Sequence, residues 1–369
     1  MRTYKMKALL MTALLALNGC GGGGSSTPSE GTNPPPPTTP TKIYSVCVTK
    51  ELSPQYTCME TCSDSTIEIS THNELNTCTL AGDKWLLEFN HSDTPSTNDQ
   101  KNGLTWINTI RKGVGLPEFN YNSKLELATI VHEKYLGDTA DTYNVNQSHY
   151  EDNNSYPSEF YRGVQGTDRA RSAGYTGYYA GDVISYQTGA TSVSSLDDLM
   201  SAIYHRQALL WNFTNEIGIG NSNHSFNFKS QAHLMGAKSD RDTTLRAASA
   251  KAVYYPYDGQ TEVRRVFHEE SPDPLPNTSL SGYPISIDFN SYYVNSVEIS
   301  YFKLYIDGGA EITNVVLMDK VTDPNGKFSE YQFALFPLDV LASNITYRVE
   351  VGYILNGESG NNVWTFTTR

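Results

Sequence analysis

The sequence predicts an α+β chain, with helices and short strands mixed through the centre and an all-β sandwich at the C-terminal end. Apolar residues recur at the helical period between Leu104 and Leu136 and again between Leu196 and Leu210. After residue 283 the pattern changes to strand-length apolar or alternating runs, divided by turns such as Asp307-Gly308 and Asn356-Gly357. A length of 369 residues leaves room for two domains. With 27 basic against 40 acidic residues, the formal charge is −13. That balance excludes nucleic acid as a partner, because binding it needs a basic footprint, and it disfavours an electrostatic grip on anionic headgroups.

Taken in order, residues 1–19 read as a signal peptide. Arg2, Lys5 and Lys7 precede the apolar run ALLMTALLAL, and Leu17-Asn18-Gly19-Cys20 follows. The run is too short for a membrane-spanning helix. The segment resembles a bacterial lipoprotein signal, which implies a membrane anchor through lipidated Cys20. With Gly21 next, the expected location is the outer membrane or cell surface. Residues 20–42 are mostly Gly, Ser, Thr and Pro, including Pro34 to Pro37, and read as a disordered tether. Residues 43–90 hold Cys47, Cys58, Cys62 and Cys78. An even cluster in an exported chain suggests two disulfides, with three connectivities open. Strand-like TIEIS and WLLEF complete a small subdomain that needs such staples.

The region 98–275 is read as the central domain. A helix is expected from about Leu104 to Lys112, capped by Asn98 or Asp99 and stopped by Gly113 and Gly115. Ser123 and Glu126 form a capping box for a second helix, whose face of Leu125, Ala128, His132 and Leu136 makes His132 a core histidine. A third helix is expected from Leu196 to Leu210, capped by Ser194 or Ser195. His205 lies opposite its apolar stripe, facing solvent or a groove. A strand at 216–221 follows, then a connector over 230–275 with strand-like AKAVYYPY. Residues 283–369 complete a seven-strand-like, Ig-like or fibronectin-like sandwich.

Chemistry-bearing residues concentrate between Ser148 and Arg206. His149 and His205 flank Asp168-Arg169 and Asp182, a grouping suited to metal ligation or acid–base work. Two residues from His149, Glu151 projects to the same side if the segment is extended, and is expected to orient the imidazole. Asp168 and Arg169 read as a structural ion pair, and Arg206 as the partner of a nearby carboxylate. No G-x-S-x-G, H-E-x-x-H or catalytic-cysteine pattern is present.

These pieces, in this order, resemble the CAP superfamily (cysteine-rich secretory, antigen 5 and pathogenesis-related-1), in its bacterial branch. NGLTWINTIRKGVGLPEFNYNSKLELATIVHEKYL is similar to that branch's opening helix pair. Ser148-His149 resembles the first cleft histidine. Gly181-Asp182 stands where the family has Gly-Glu-Asn, Tyr204-His205-Arg206 resembles the histidine-arginine of the third helix, and Glu216 to Gly220 the strand after it. The resemblance implies an α-β-α sandwich and a cleft lined by two histidines and two acidic residues. Carried over, the histidines are His149 and His205, and Asp182 replaces the first glutamate. The second falls near Ala202, with Asp198 one turn earlier as its substitute. It also implies a divalent metal such as zinc on His149 and His205.

Three functions are compatible with this reading. The first is a lipid-anchored protein that binds an extracellular ligand or protein in the cleft, with little or no catalysis. The second is a metal-dependent hydrolase of envelope or extracellular polymers. The third is a structural or adhesion protein of the envelope.

Overall fold

The computed structural model describes residues 56–61, 67–72, 93–95, 97–145, 148–186, 190–220, 231–237 and 243–369. The leader, the tether, Cys47, Cys62 and Cys78 with their disulfides, and the strand expected at 85–89 lie outside these. Strands β1 (Tyr56–Thr61) and β2 (Ile67–His72) pair antiparallel.

Helix α1 (Asn98–Gly113) starts earlier than the apolar pattern indicates. Thr97, not Asn98 or Asp99, is the cap, and it shares a reciprocal capping box with Gln100. Asp99 instead accepts from the backbone and hydroxyl of Ser192. After β3 (Asn120–Tyr121), Asn122 caps α2 (Ser123–Tyr143) through Lys124 and Leu125, displacing the expected Ser123–Glu126 box. Glu126 instead accepts from Gln100 Nε2. Then come α3 (Gly166–Ser172) and β4 (Tyr179–Ser185). The third helix expected from the sequence is two: α4 (Ser192–Ser201) and α5 (Ile203–Leu209), broken at extended Ala202. Strands β5 (Glu216–Ile219) and β6 (Gln231–Ala237) and helix α6 (Thr243–Ala248) complete the central unit.

Its sheet has the order β3-β5-β6-β4, and only the β3–β5 pair is parallel. Strand alternation sorts the two faces. Val183, Ile217, Ile219 and Met235 pack with Ile107, Ile110, Leu196 and Leu199 of α1 and α4. On the other face Ala180 packs with Leu125 and Ala128 of α2 and with Ala170 of α3. Gly218 marks how close the layers come: a Cβ there would lie 2.1 Å from the Glu126 amide nitrogen.

The all-β region begins earlier than residue 283. β7 (Ala252–Tyr255), β8 (Gln260–Val263) and β9 (Val266–Phe267) come from the stretch read as a connector. They are followed by β10 (Ser281–Gly282), β11 (Ile285–Phe289), β12 (Val297–Ile306), β13 (Glu311–Ile312) and β14 (Val315–Met318). The last three are β15 (Gln332–Pro337), β16 (Thr346–Leu355) and β17 (Glu358–Thr368). Two sheets result, β14-β15-β11-β7 and β13-β12-β16-β17-β8, with β9 and β10 as a separate pair. Ile287 and Phe333 of the first sheet share one core with Val349 and Trp364 of the second, and that core runs on into α1 and α4.

Candidate functional site

His149 follows α2 on a loop and His205 rides on α5. The fold brings their rings to 6.3 Å between centroids, each side chain largely but not wholly covered. A carboxylate holds each ring: Asp182 Oδ2 lies 2.9 Å from His149 Nδ1, and Glu270 Oε2 lies 2.8 Å from His205 Nδ1. A carboxylate at Nδ1 places the proton there and leaves the lone pair on Nε2.

Asp182 occupies the β4 position facing α2 and α3. Arg169 of α3 donates from Nη2 to Asp182 Oδ1 at 3.1 Å and from Nη1 to the His149 carbonyl at 3.0 Å, so one guanidinium fixes both members of the first pair. Burial works against the Asp182 charge, but His149 and Arg169 outweigh it and hold the carboxyl well below the usual carboxylate range. Beneath this layer lies His132. Its Nδ1 is 2.9 Å from Glu151 Oε1, and its Nε2 is 4.0 Å from Asp182 Oδ2, with no hydrogen-bond partner among the described residues. Burial, reinforced by Arg169, lowers the His132 pKa against the opposing pull of Glu151 and Asp182.

Residues 104–233 match the family model described as the cysteine-rich secretory protein family, CAP. This stretch is a CAP domain. No curated protein matches the chain. Among solved structures, an outer surface protein from Borrelia burgdorferi is similar at 16% identity and TM-score 0.32, covering 40% of this chain and 97% of that one. An extracellular protein containing an SCP domain, from Bacillus anthracis, is similar at 21% identity and TM-score 0.29, covering 39% of this chain. The chain spans 45% of the length of the Bacillus protein.

The CAP domain gathers His149, Asp182 and His205 as the sequence anticipates, but not Glu151. Residues 148–151 belong to no strand, so the two-residue projection rule does not apply. The Glu151 amide donates to the Val164 carbonyl, and its carboxylate turns inward to His132 and the Arg162 amide. His132 is buried as expected, yet among the described residues only its Nδ1 is bonded. Asp168 accepts from the Gln165 amide and caps α3 rather than pairing with Arg169. Asp198 does not enter the cleft; it pairs with Arg264 at 2.8 Å. Arg206 reaches carbonyls, not a carboxylate: Met200 and Pro284, each at 2.7 Å. The residue that sequence reasoning missed is Glu270. The CAP-domain match ends at residue 233, so this carboxylate arrives from beyond it. The available signal is the acidic pair Glu269-Glu270 beside His268, in a stretch with no periodicity.

For a divalent cation the cleft offers the two imidazoles, whose Nδ1 atoms are already engaged. His149 and His205 would hold the ion, with Asp182 and Glu270 behind them setting ring orientation and basicity. Among the described residues no three His, Cys, Asp or Glu side chains are grouped so as to hold one ion. An ion on two imidazoles keeps its remaining positions for solvent or a ligand, and supplies Lewis acidity there.

Proposed function

We propose that this chain is an exported, lipid-anchored protein whose CAP-domain cleft binds a ligand or partner through the paired edges of His149 and His205. The supporting observation is that both rings sit side by side with a carboxylate behind each. The carboxylates act as orienting groups. Asp182 is committed to Arg169 and His149, and Glu270 accepts from the Tyr204 amide as well as facing His205. Binding, with little or no turnover, suits a site whose acids are already engaged.

Zinc is the probe for the cleft. Titrated into the full mature protein, it is expected to bind, and His149→Ala and His205→Ala are each expected to weaken it at least tenfold. Zinc binding that survives both substitutions unchanged would overturn the reading. The anchor has its own test. Cys20→Ser is expected to move the protein from the membrane fraction to the soluble one, because acyl chains contribute about 0.8 kcal/mol per buried CH₂. A Cys20→Ser protein that stays with membranes rules out lipidation as the anchor.

A further inference from the structure

A concave site lies between the CAP domain and the all-β region, and its lining includes none of His149, Asp182, His205 or Glu270. It is a cavity of about 390 Å³, walled by α1, the start of α4, and the chain from Tyr255 to Arg264. That size falls within the range of small-molecule sites, about 300–1,000 Å³.

The lining combines aromatic faces with a paired-charge fork. Trp106 of α1 and Tyr257 stand half-buried at the wall. The Tyr257 ring is fixed by Gly113, where any Cβ would come within 2.7 Å of it. Its amide is held by Gln260 Oε1 at 3.1 Å. Between the aromatic walls, Asp197 Oδ2 accepts from Arg264 Nε at 2.7 Å and from Arg369 Nη2 at 3.3 Å. Arg264 Nη1 goes to Asp198 Oδ1 at 2.8 Å, and among the described residues Asp197 Oδ1 accepts no hydrogen bond and Arg264 Nη2 donates none, so the fork keeps one acceptor and one donor unengaged. The charged lining residues are Asp197 and Glu262 against Arg264 and Arg369, a net charge of zero.

Backbone strain marks the same wall. Among the described residues, the other non-glycine positions with positive φ are Asn144, Asn344 and Asn356, a residue type that tolerates this conformation. Glu262 at φ 58° is the exception, and the strained conformation lies within the cavity lining. Strain of this kind clusters at binding and switch sites.

We propose that this cavity binds a neutral saccharide of one or two rings. A ligand with its own charge finds no net counter-charge here, and a purely apolar one would strand the fork. A sugar ring presents an apolar face to Trp106 or Tyr257, and neighbouring hydroxyls that both donate and accept match the free atoms of Asp197 and Arg264.

Isothermal titration of the full mature protein tests this, with cellobiose, maltose and N,N′-diacetylchitobiose as neutral probes and glucosamine and glucose 6-phosphate as charged ones. At least one neutral disaccharide is expected to saturate with a millimolar or tighter Kd. Trp106→Ala is expected to weaken it at least tenfold, and a double His149→Ala, His205→Ala protein to bind it unchanged. Thr261→Trp adds bulk at an exposed lining position and is expected to abolish binding even if Trp106→Ala fails to fold. No binding by any neutral disaccharide, preference for a charged sugar, retention of affinity in Thr261→Trp, or loss in the histidine variant would each overturn the proposal.

Discussion

His132 lies at the floor of the cleft, sealed from solvent, with one nitrogen on a carboxylate and the other facing Asp182 with no bond among the described residues. Burial lowers its pKa in the folded state, so below the ordinary histidine value of about 6.5 the unfolded chain binds a proton that the native one refuses. Stability is therefore expected to fall as pH drops through that value. Asp182, held below its unfolded pKa, adds a further loss with the same sign below about pH 4. Chemical denaturation of the parent and His132→Gln across pH 4–8 checks this: the variant should show a flatter dependence between pH 5 and 6.5. Glu270 carries a different expectation. Glu270→Ala frees the His205 ring and should weaken zinc binding by about 10–100-fold, as for other lost outer partners of a ligating histidine, whereas Asp198→Ala should leave it unchanged. Short local motifs made His149, Asp182 and His205 legible in the sequence. Glu270 was not, because it meets His205 across 65 residues and no spacing rule connects a connector segment to a helix face.

The break between α4 and α5 illustrates what the elements add. The apolar stripe continues through Ile203 and Leu210 without Pro or Gly, and Ala202 is a good helix former, so local signals favour one helix. Tertiary bonds decide otherwise. The Tyr204 amide, which a continuous helix would point at Met200, donates to Glu270 instead, and the Met200 carbonyl accepts from Arg206 Nε and the Tyr283 hydroxyl. The break thus presents His205 and its acid together. Removing Arg206 takes the guanidinium donor from the Pro284 carbonyl, at about 1–3 kcal/mol for a buried unsatisfied group, while the Met200 carbonyl keeps the Tyr283 hydroxyl. Arg206→Met is expected to lower the unfolding free energy by about 1–3 kcal/mol in urea titrations. Gly218→Ala should be at least as damaging, because its Cβ meets backbone that cannot rotate away. By contrast, the longer strands from Ile285 on follow from alternation and Asx-Gly turns, which depend only on neighbours in the chain, whereas β8 and β9 fall in the stretch read as a connector.

At the scale of the molecule, the two regions share a core. Ile107 and Leu199 of the CAP domain belong to the same apolar cluster as Val349 and Trp364. Arg264 and Arg369 add ion pairs to Asp197, and Tyr204 donates to Asp323 in the turn after β14. The expectation is one cooperative thermal transition for residues 93–369. Truncation after Gly282 removes the partners of β7 and β8, and the remainder should show no sharp melt by circular dichroism; a sharp one would mean that the CAP domain folds alone. The composition change near residue 283 reads as a boundary because turn-rich alternation begins there, but apolar pattern alone does not say which sheet a strand joins.

The parallel pairing of β8 with β17 turns the chain into a clasp. The final strand of the fold is laid against a segment that precedes the irregular stretch around residues 268–280, while β7 is laid against β11 on the other sheet. A protease that cuts this stretch severs the covalent path but none of those ladders. The two pieces are then expected to travel together through gel filtration and to part only in denaturant, so that a nicked molecule keeps the shape and surface of an intact one.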